Sequence, residues 1–242
     1  LGVYDAQRRE LTLSATIDDP VLWTPGNPAL YIAEIDLSCG GGKSSETVYQ
    51  TFGFRDIQTD GSRLLLNGEP ISIRSTLTWG YYPRLVSPAP PEEVLRDEFA
   101  YFRGLGLNAQ TVFLINMPDY YYDIADETGF LIWQEYPTWH NEFLAKDQAY
   151  YDQVYADYFR RDRNHAAIVL RSMSVEAGVH NWDVMENIVN LAHDMTDTPI
   201  QDNSSWFSHS KTELTEWYGE DNYWNNPSWA RHMLINLPER LD

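Results

Sequence analysis

The sequence predicts an α/β chain: a partial (β/α)8 TIM barrel, about five to six of its units, preceded by part of an immunoglobulin-like β-sandwich. Three observations lead there. The first sixty residues alternate apolar and polar side chains and are broken by Pro and Gly turns, with no helical period. From Leu64 onward, short apolar runs alternate with helical segments, the pattern of parallel βαβ units. No glycine-rich phosphate fingerprint interrupts them, which favours a barrel over a dinucleotide fold.

Leu11-Thr12-Leu13-Ser14-Ala15-Thr16-Ile17 reads as a half-buried strand, closed by Asp18-Asp19-Pro20. Trp23-Thr24-Pro25-Gly26-Asn27-Pro28 is a dense turn region. Tyr31 to Leu37 and Glu46 to Phe54 supply two further strands, separated by Gly40-Gly41-Gly42. Residues 1–57 are short for a sandwich of about 100 residues, so its first strands are expected to be missing.

Residues 58–242 are assigned to the barrel. Leu64 to Pro70 is a hairpin turning on Asn67-Gly68. Ile71-Ser72-Ile73-Arg74 is the expected first strand. Pro91-Glu92-Glu93 starts a helix running to Gly104, its early acids suiting the helix dipole. Ala109 to Ile115 is a strand, Asp119 to Thr128 a helix ended by Gly129, and Phe130 to Glu135 a strand. Tyr151, Val154, Tyr155, Tyr158 and Phe159 share one face of the next helix. Asn164 is expected to close that helix in the left-handed conformation, and Ile168 to Ser172 follows as the fourth strand. Val184 to Thr196 is a helix, Pro199 to Asp202 begins a fifth strand, and a sixth is expected near Asn222-Tyr223. A complete barrel needs about 250 residues against roughly 180 here, so the barrel is expected to be cut off.

A net charge of −19 argues against a nucleic-acid partner. No apolar run approaches the length of a membrane span, so no membrane partner is expected. Aromatics make up 14% of the chain, which leans towards sugar rings, although aromatics also fill cores. The lone Cys39 excludes an internal disulfide framework and a cysteine metal cluster. The chain begins at Leu1 rather than Met and reads as a segment of a longer polypeptide, whose remainder is its expected partner. The compartment stays open between secreted, periplasmic and cytoplasmic.

Barrels carry their chemistry at the C-terminal ends of strands. Those positions are expected to hold Arg74, Trp79 and Tyr81, then Asn116, then Glu135, Trp139 and His140. Glu176 and His180 follow the fourth strand, and Asp202, Asn203 and Trp206 the fifth. Acids, amides and aromatics together suit glycoside hydrolysis, where one carboxyl protonates the leaving oxygen and another attacks or activates water. Glu176 is the candidate catalytic acid. Glu135 reads equally as a structural ion pair, a hydroxyl contact or a catalytic group. Arg74 leans towards an internal ion pair. His140, His180 and Glu135 lack a ligand motif such as H-E-x-x-H, so no metal and no cofactor is expected. No Ser sits in a Gly-x-Ser-x-Gly elbow, which removes support for a serine hydrolase.

Several motifs in order resemble glycoside hydrolase family 2, the retaining β-glycosidases that include β-galactosidases, β-glucuronidases and β-mannosidases. They are Gly53-Phe54-Arg55, the Leu65 to Pro70 hairpin followed by Arg74, Gly80-Tyr81-Tyr82-Pro83, and Leu105-Gly106-Leu107-Asn108. Ala125 to Trp133 and Arg161-Asp162-Arg163-Asn164-His165 continue the match, the last being the most specific. The resemblance implies that Glu176 is the family's general acid/base and that the nucleophilic Glu lies beyond Asp242. The chain departs from the family pattern at Val175, where Asn is usual, and at Thr111 and Phe113, where Arg and His are usual. These departures favour an alternative, a carbohydrate-binding module on the same barrel that does not cleave.

Overall fold

The computed structural model describes residues 3–5, 7, 10–39, 44–83, 85–139, 143–177 and 182–204. Its N-terminal part is antiparallel. Strands β1 (Val3–Asp5) and β2 (Glu10–Thr12) pair with each other, as do β3 (Tyr31–Cys39) and β4 (Ser44–Phe52), which run in register from Tyr31 opposite Phe52. The strand expected from Leu11 to Ile17 stops at Thr12, and Leu13 and Ile17 are exposed. Alternation alone does not make a strand where no neighbour takes up the backbone hydrogen bonds.

A three-stranded sheet follows, built from β5 (Ile57–Asp60), β6 (Arg63–Leu66) and β7 (Glu69–Ile71). Asn67 and Gly68 turn β6 into β7, both with positive φ (54° and 81°) as a two-residue hairpin demands. The Asn67 side chain also accepts from the Asp56 amide and donates to the Trp23 carbonyl, pinning the hairpin to the Trp23 turn.

The remainder is one five-stranded parallel sheet in the order β12–β11–β10–β9–β8, with helices between successive strands. Its strands are β8 (Ser75–Thr78), β9 (Ala109–Phe113), β10 (Leu131–Glu135), β11 (Ile168–Val175) and β12 (Ile200–Ser204). Its helices are α1 (Glu92–Gly104), α2 (Asp119–Thr128), α3 (Gln148–Asp162, entered through a 3-10 turn) and α4 (Trp182–Met195). Spatial order follows chain order throughout, so no switch point of the doubly wound kind occurs among the described strands. The sixth strand expected near Asn222 lies outside the described residues.

Two boundaries are corrected. The first parallel strand is Ser75–Thr78, not Ile71 to Arg74, because Ile71 belongs to the antiparallel hairpin. Asn164 does not adopt the left-handed conformation. The helix instead runs off through a turn in which His165 N–H donates to Asp162 O and Ile168 N–H to His165 O.

The buried residues form two apolar clusters. One joins Leu95 and Phe99 of α1, Tyr121 and Ile124 of α2 and the strand residues Val112 and Ile132. The other joins Tyr155 and Phe159 of α3, Val184 and Ile188 of α4, Met173 and Ile200. Strands β11 and β12 are buried along their whole length, as parallel strands covered on both faces are.

Helix α2 ends on Gly129 at φ 70°, the expected left-handed cap. A Cβ there would lie 2.5 Å from the Pro25 carbonyl oxygen, so this glycine also seats the Trp23–Pro28 turn against the helix end. Gly129→Ala should therefore lower unfolding free energy by about 2–4 kcal/mol, combining a positive-φ penalty with a backbone clash. Gly61→Ala, also at positive φ but with nothing within 4 Å, should lose only about 1 kcal/mol. Equal urea midpoints for the two variants would contradict the close approach at Pro25.

Candidate active site

Strand β11 is uniformly buried, yet Arg171, Ser172 and Ser174 sit within it, and each polar group has a partner. Arg171 donates from Nη1 to Asp162 Oδ1 (2.6 Å) and Tyr136 Oη (2.5 Å), and from Nε to Thr198 Oγ1 (2.8 Å). Tyr136 Oη donates to Asp162 Oδ2 at 2.9 Å. Burial alone would lower the Arg171 pKa, and the neighbouring Asp162 and Tyr136 reverse this, holding it above its ordinary value. Burial likewise pushes the Asp162 carboxyl up, against the pull of Arg171. Ser172 Oγ accepts from the Trp133 indole at 2.8 Å.

At its C-terminal end, β11 is held from both sides. Val175 N–H donates to Thr138 O (2.9 Å) in the segment after β10, and Trp139 forms a parallel bridge with Val175. On the other side, Glu176 N–H donates to Ser204 O (3.1 Å). Asn203 accepts from the Ala177 amide (3.0 Å) and from Ser174 Oγ (3.1 Å), and donates to the Ala177 carbonyl (3.2 Å). Between these clamps Glu176 has φ 46°, the left-handed region that L residues with a side chain rarely occupy. Such a conformation persists only where the surroundings impose it, and it gathers at functional positions.

The Glu176 carboxylate accepts from the Trp139 indole N–H at 2.9 Å. Trp139 meets Trp79 edge-to-face (5.7 Å, 70°), and Trp79 meets Phe113 in the same way (4.4 Å, 63°). Tyr81, 85% exposed, lies parallel to Trp79 at 6.4 Å. Aromatic residues from three strand ends thus form a connected cluster that reaches the carboxylate through Trp139: Trp79 and Tyr81 after β8, Phe113 closing β9, and Trp139 after β10.

The other expected residues divide. Asn116 is half-buried after β9, and Glu135, almost fully buried, ends β10 opposite Ser172. Asp202 is buried within β12, one Oδ1 oxygen accepting from the Asn203 amide at 2.8 Å. Arg74 is a correction. It precedes β8 at the opposite end of the sheet, where its Nε donates to Gly106 O and its amide to Asn108 Oδ1. The later start of the first strand moves it there. His140, His180 and Trp206 lie outside the described residues. Thr111 shares a hydroxyl hydrogen bond with Ser75 (2.8 Å), and Val175 is fully buried.

Two cavities of about 400 and 360 Å³ open near the N-terminal end of the sheet, away from Glu176. Beside the second, Asp123, Asp126 and His165 bring ligand-type atoms within 4.8 Å of one another. His165 Nδ1 lies 2.7 Å from Asp126 Oδ2, and Asp126 Oδ1 accepts from the Ala167 amide at 2.7 Å. That arrangement ties the turn before β11 to helix α2 rather than presenting open ligands.

Sequence reasoning named Asn203 only as a strand-end amide and missed the Arg171–Asp162–Tyr136 network. A charged residue inside an apolar strand was the available signal, since a buried guanidinium demands a partner.

Among the described residues the arrangement is a singly wound α/β sheet with an acid and aromatic rings at its strand ends. Known proteins narrow the assignment. The family model "Glycosyl hydrolases family 2" matches residues 2–55. A β-galactosidase of Thermoanaerobacter pseudethanolicus is 24% identical over 194 residues, covering 77% of this chain and 25% of that protein. A putative β-glucuronidase of Formosa agariphila is 32% identical over 170 residues, covering 66% of this chain and 16% of that protein. Among solved structures, the β-glucuronidase of Parabacteroides merdae matches with a TM-score of 0.76 at 21% identity, over 96% of this chain and 31% of that one. A Ruminococcus gnavus β-glucuronidase in complex with a C6-substituted uronic isofagomine matches at 0.77 and 18% identity, over 91% and 41%. These matches support a divergent member of glycosyl hydrolase family 2. The chain spans a quarter or less of the length of these two curated relatives.

If the clamps hold Glu176 in a strained backbone, Glu176→Gly should be more stable than Glu176→Ala by about 1 kcal/mol, since only glycine enters the left-handed region freely. Chemical denaturation of the two variants measures this, and equal stabilities would remove the strain from the account.

Proposed function

We propose that the polypeptide containing this chain hydrolyses β-glycosidic bonds with retention and that Glu176 is its general acid/base. The observation that carries the proposal is the Glu176 carboxylate itself, at the C-terminal end of a parallel strand, backbone-strained and hydrogen-bonded to Trp139. In the first step a second carboxylate attacks the anomeric carbon. The C–O bond to the leaving group breaks with its electron pair going to oxygen, which takes the Glu176 proton. In the second step Glu176 takes a proton from water as that water displaces the enzyme carboxylate.

In this proposal the parallel sheet is part of a TIM barrel over residues 58–242, and residues 1–57 belong to an immunoglobulin-like sandwich. Trp79, Tyr81, Asn116, Glu135, Trp139, Asp202 and, beyond the described residues, His140, His180 and Trp206 contact a glycoside. The nucleophile is a Glu on a later strand outside this chain. Arg74 is left out of the substrate contacts because its side chain is engaged at the other end of the sheet. Relatives that are β-galactosidases and β-glucuronidases support the reaction class.

A second reading is a non-cleaving carbohydrate-binding module. It is favoured by Thr111 being occupied with Ser75, Phe113 packing on Trp79 and Val175 being buried, so that none of the three offers a polar side chain to a sugar.

The full polypeptide should turn over an aryl β-glycoside, and Glu176→Gln should lower kcat/KM for a poorly activated leaving group by about 10²–10⁴-fold. An unchanged rate in that variant would remove Glu176 from the mechanism. Absence of turnover by the full polypeptide, with glycan binding retained, would favour the module. The 242-residue chain alone should show no turnover, lacking its partner carboxylate.

A further inference from the structure

We propose that Asn203 is a positioning residue for Glu176, its carboxamide standing in for the strand neighbour that the chain loses where it turns. This rests on the acid/base role of Glu176. Strand β11 ends at Val175, paired with Ser204, and the left-handed φ of 46° at Glu176 takes the chain out of the sheet. Ala177 comes next and is fully buried, so its N–H and C=O both need partners. Asn203 supplies one to each: Oδ1 accepts from the Ala177 amide at 3.0 Å, and Nδ2 donates to the Ala177 carbonyl at 3.2 Å. A carboxamide carries an acceptor and a donor side by side, whereas an ionised aspartate would only accept.

The amide is itself held. Asn203 lies opposite Ser174 in the parallel register. Ser174 Oγ donates to Asn203 Oδ1 at 3.1 Å and to the Asp202 carbonyl at 2.8 Å, and the Asn203 backbone N–H donates to Asp202 Oδ1 at 2.8 Å. Glu176 N–H donates to Ser204 O at 3.1 Å. The two peptide groups that flank the Glu176 Cα are therefore both anchored to β12, one by the Ser204 carbonyl and one by the Asn203 side chain. Anchoring both planes fixes φ and ψ between them. That sets the direction in which the Glu176 side chain leaves the backbone, whatever contacts its carboxylate makes.

The test is Asn203→Ala in the full polypeptide, beside wild type, Glu176→Gln and the double variant, over aryl glycosides graded from good to poor leaving groups. A misplaced acid should lower kcat/KM for the poorest leaving group by about 10–100-fold in Asn203→Ala, with the loss shrinking as the leaving group improves. Added to Glu176→Gln, the same substitution should cost little more, because the two residues act as a unit. A loss that is equal across the series, or that persists in full beside Glu176→Gln, overturns the proposal in favour of a structural or substrate-binding role for Asn203. If Glu176→Gln itself shows no dependence on the leaving group, the acid/base reading fails as well. Should Asn203→Ala not fold, Ser174→Ala removes only the hydroxyl that steadies the amide and must give a smaller loss with the same grading.

Discussion

One buried guanidinium holds the parallel sheet in register. Arg171 lies in the middle of β11, fully enclosed, and reaches Asp162 at the end of α3, Tyr136 just past β10 and Thr198 just before β12. Four segments thus meet at one side chain whose desolvation is costly. Taking away one partner of such a buried pair leaves an uncompensated charge, with a typical penalty of about 3–5 kcal/mol. A well-packed apolar replacement of the whole network costs far less, so the network is better understood as a specifier of position than as a source of stability. It fixes where β11 starts and hence where it ends.

The two ends of the sheet divide the work. At the N-terminal end, contacts close on themselves. Arg55 donates to the Ala166 and Ile168 carbonyls at 2.9 Å each, Asp126 holds both His165 and the Ala167 amide, and Gly53 lets the backbone approach Ala166 with 3.0 Å left for a Cβ. These contacts explain why Gly53-Phe54-Arg55 and the Arg161 to His165 segment stand out in the sequence without either carrying a reacting group. At the C-terminal end the chain accepts strain instead. Leu114 (φ 57°) after β9 and Glu176 (φ 46°) after β11 are both left-handed, and neither is glycine. Regular geometry at one end of the sheet thus contrasts with left-handed, non-glycine residues at the other.

The alternation of strands and helices from Leu64 onward was legible because each element carries a strong local signal. Asn67-Gly68 can make its turn with any partner, and Gly129 ends its helix regardless of what surrounds it. The strand expected from Leu11 fails because a strand depends on a pairing partner elsewhere in the chain, and the left-handed Asn164 fails because the chain leaves its helix through a local turn closed by His165 N–H to Asp162 O and Ile168 N–H to His165 O. The aromatic excess was also double-edged. Tyr121, Tyr122, Tyr136 and Tyr155 are fully buried with hydroxyls bonded to Gln110, Gln134, Asp162 and Thr138, so much of the tyrosine content builds the core. Among the described residues, Trp79, Tyr81 and Trp139 stay exposed in the ring cluster that reaches the acid. Composition cannot separate these groups, because the same ring serves either purpose.

Glu176 is recognisable in the sequence, but its geometry belongs to three segments rather than one. The strand that bears it ends at Val175, whose amide is taken by Thr138 on one side, while Ser204 and Asn203 take the amides of Glu176 and Ala177 on the other. A glycine would satisfy the backbone more cheaply at this position. What glycine lacks is a carboxyl group, and the clamps from β10 and β12 offset the conformational cost of having one. The acid is therefore only as well placed as its neighbouring strands, and Asn203, buried and bonded to both polar groups of Ala177, is as much a part of the candidate site as Trp139, which holds the carboxylate.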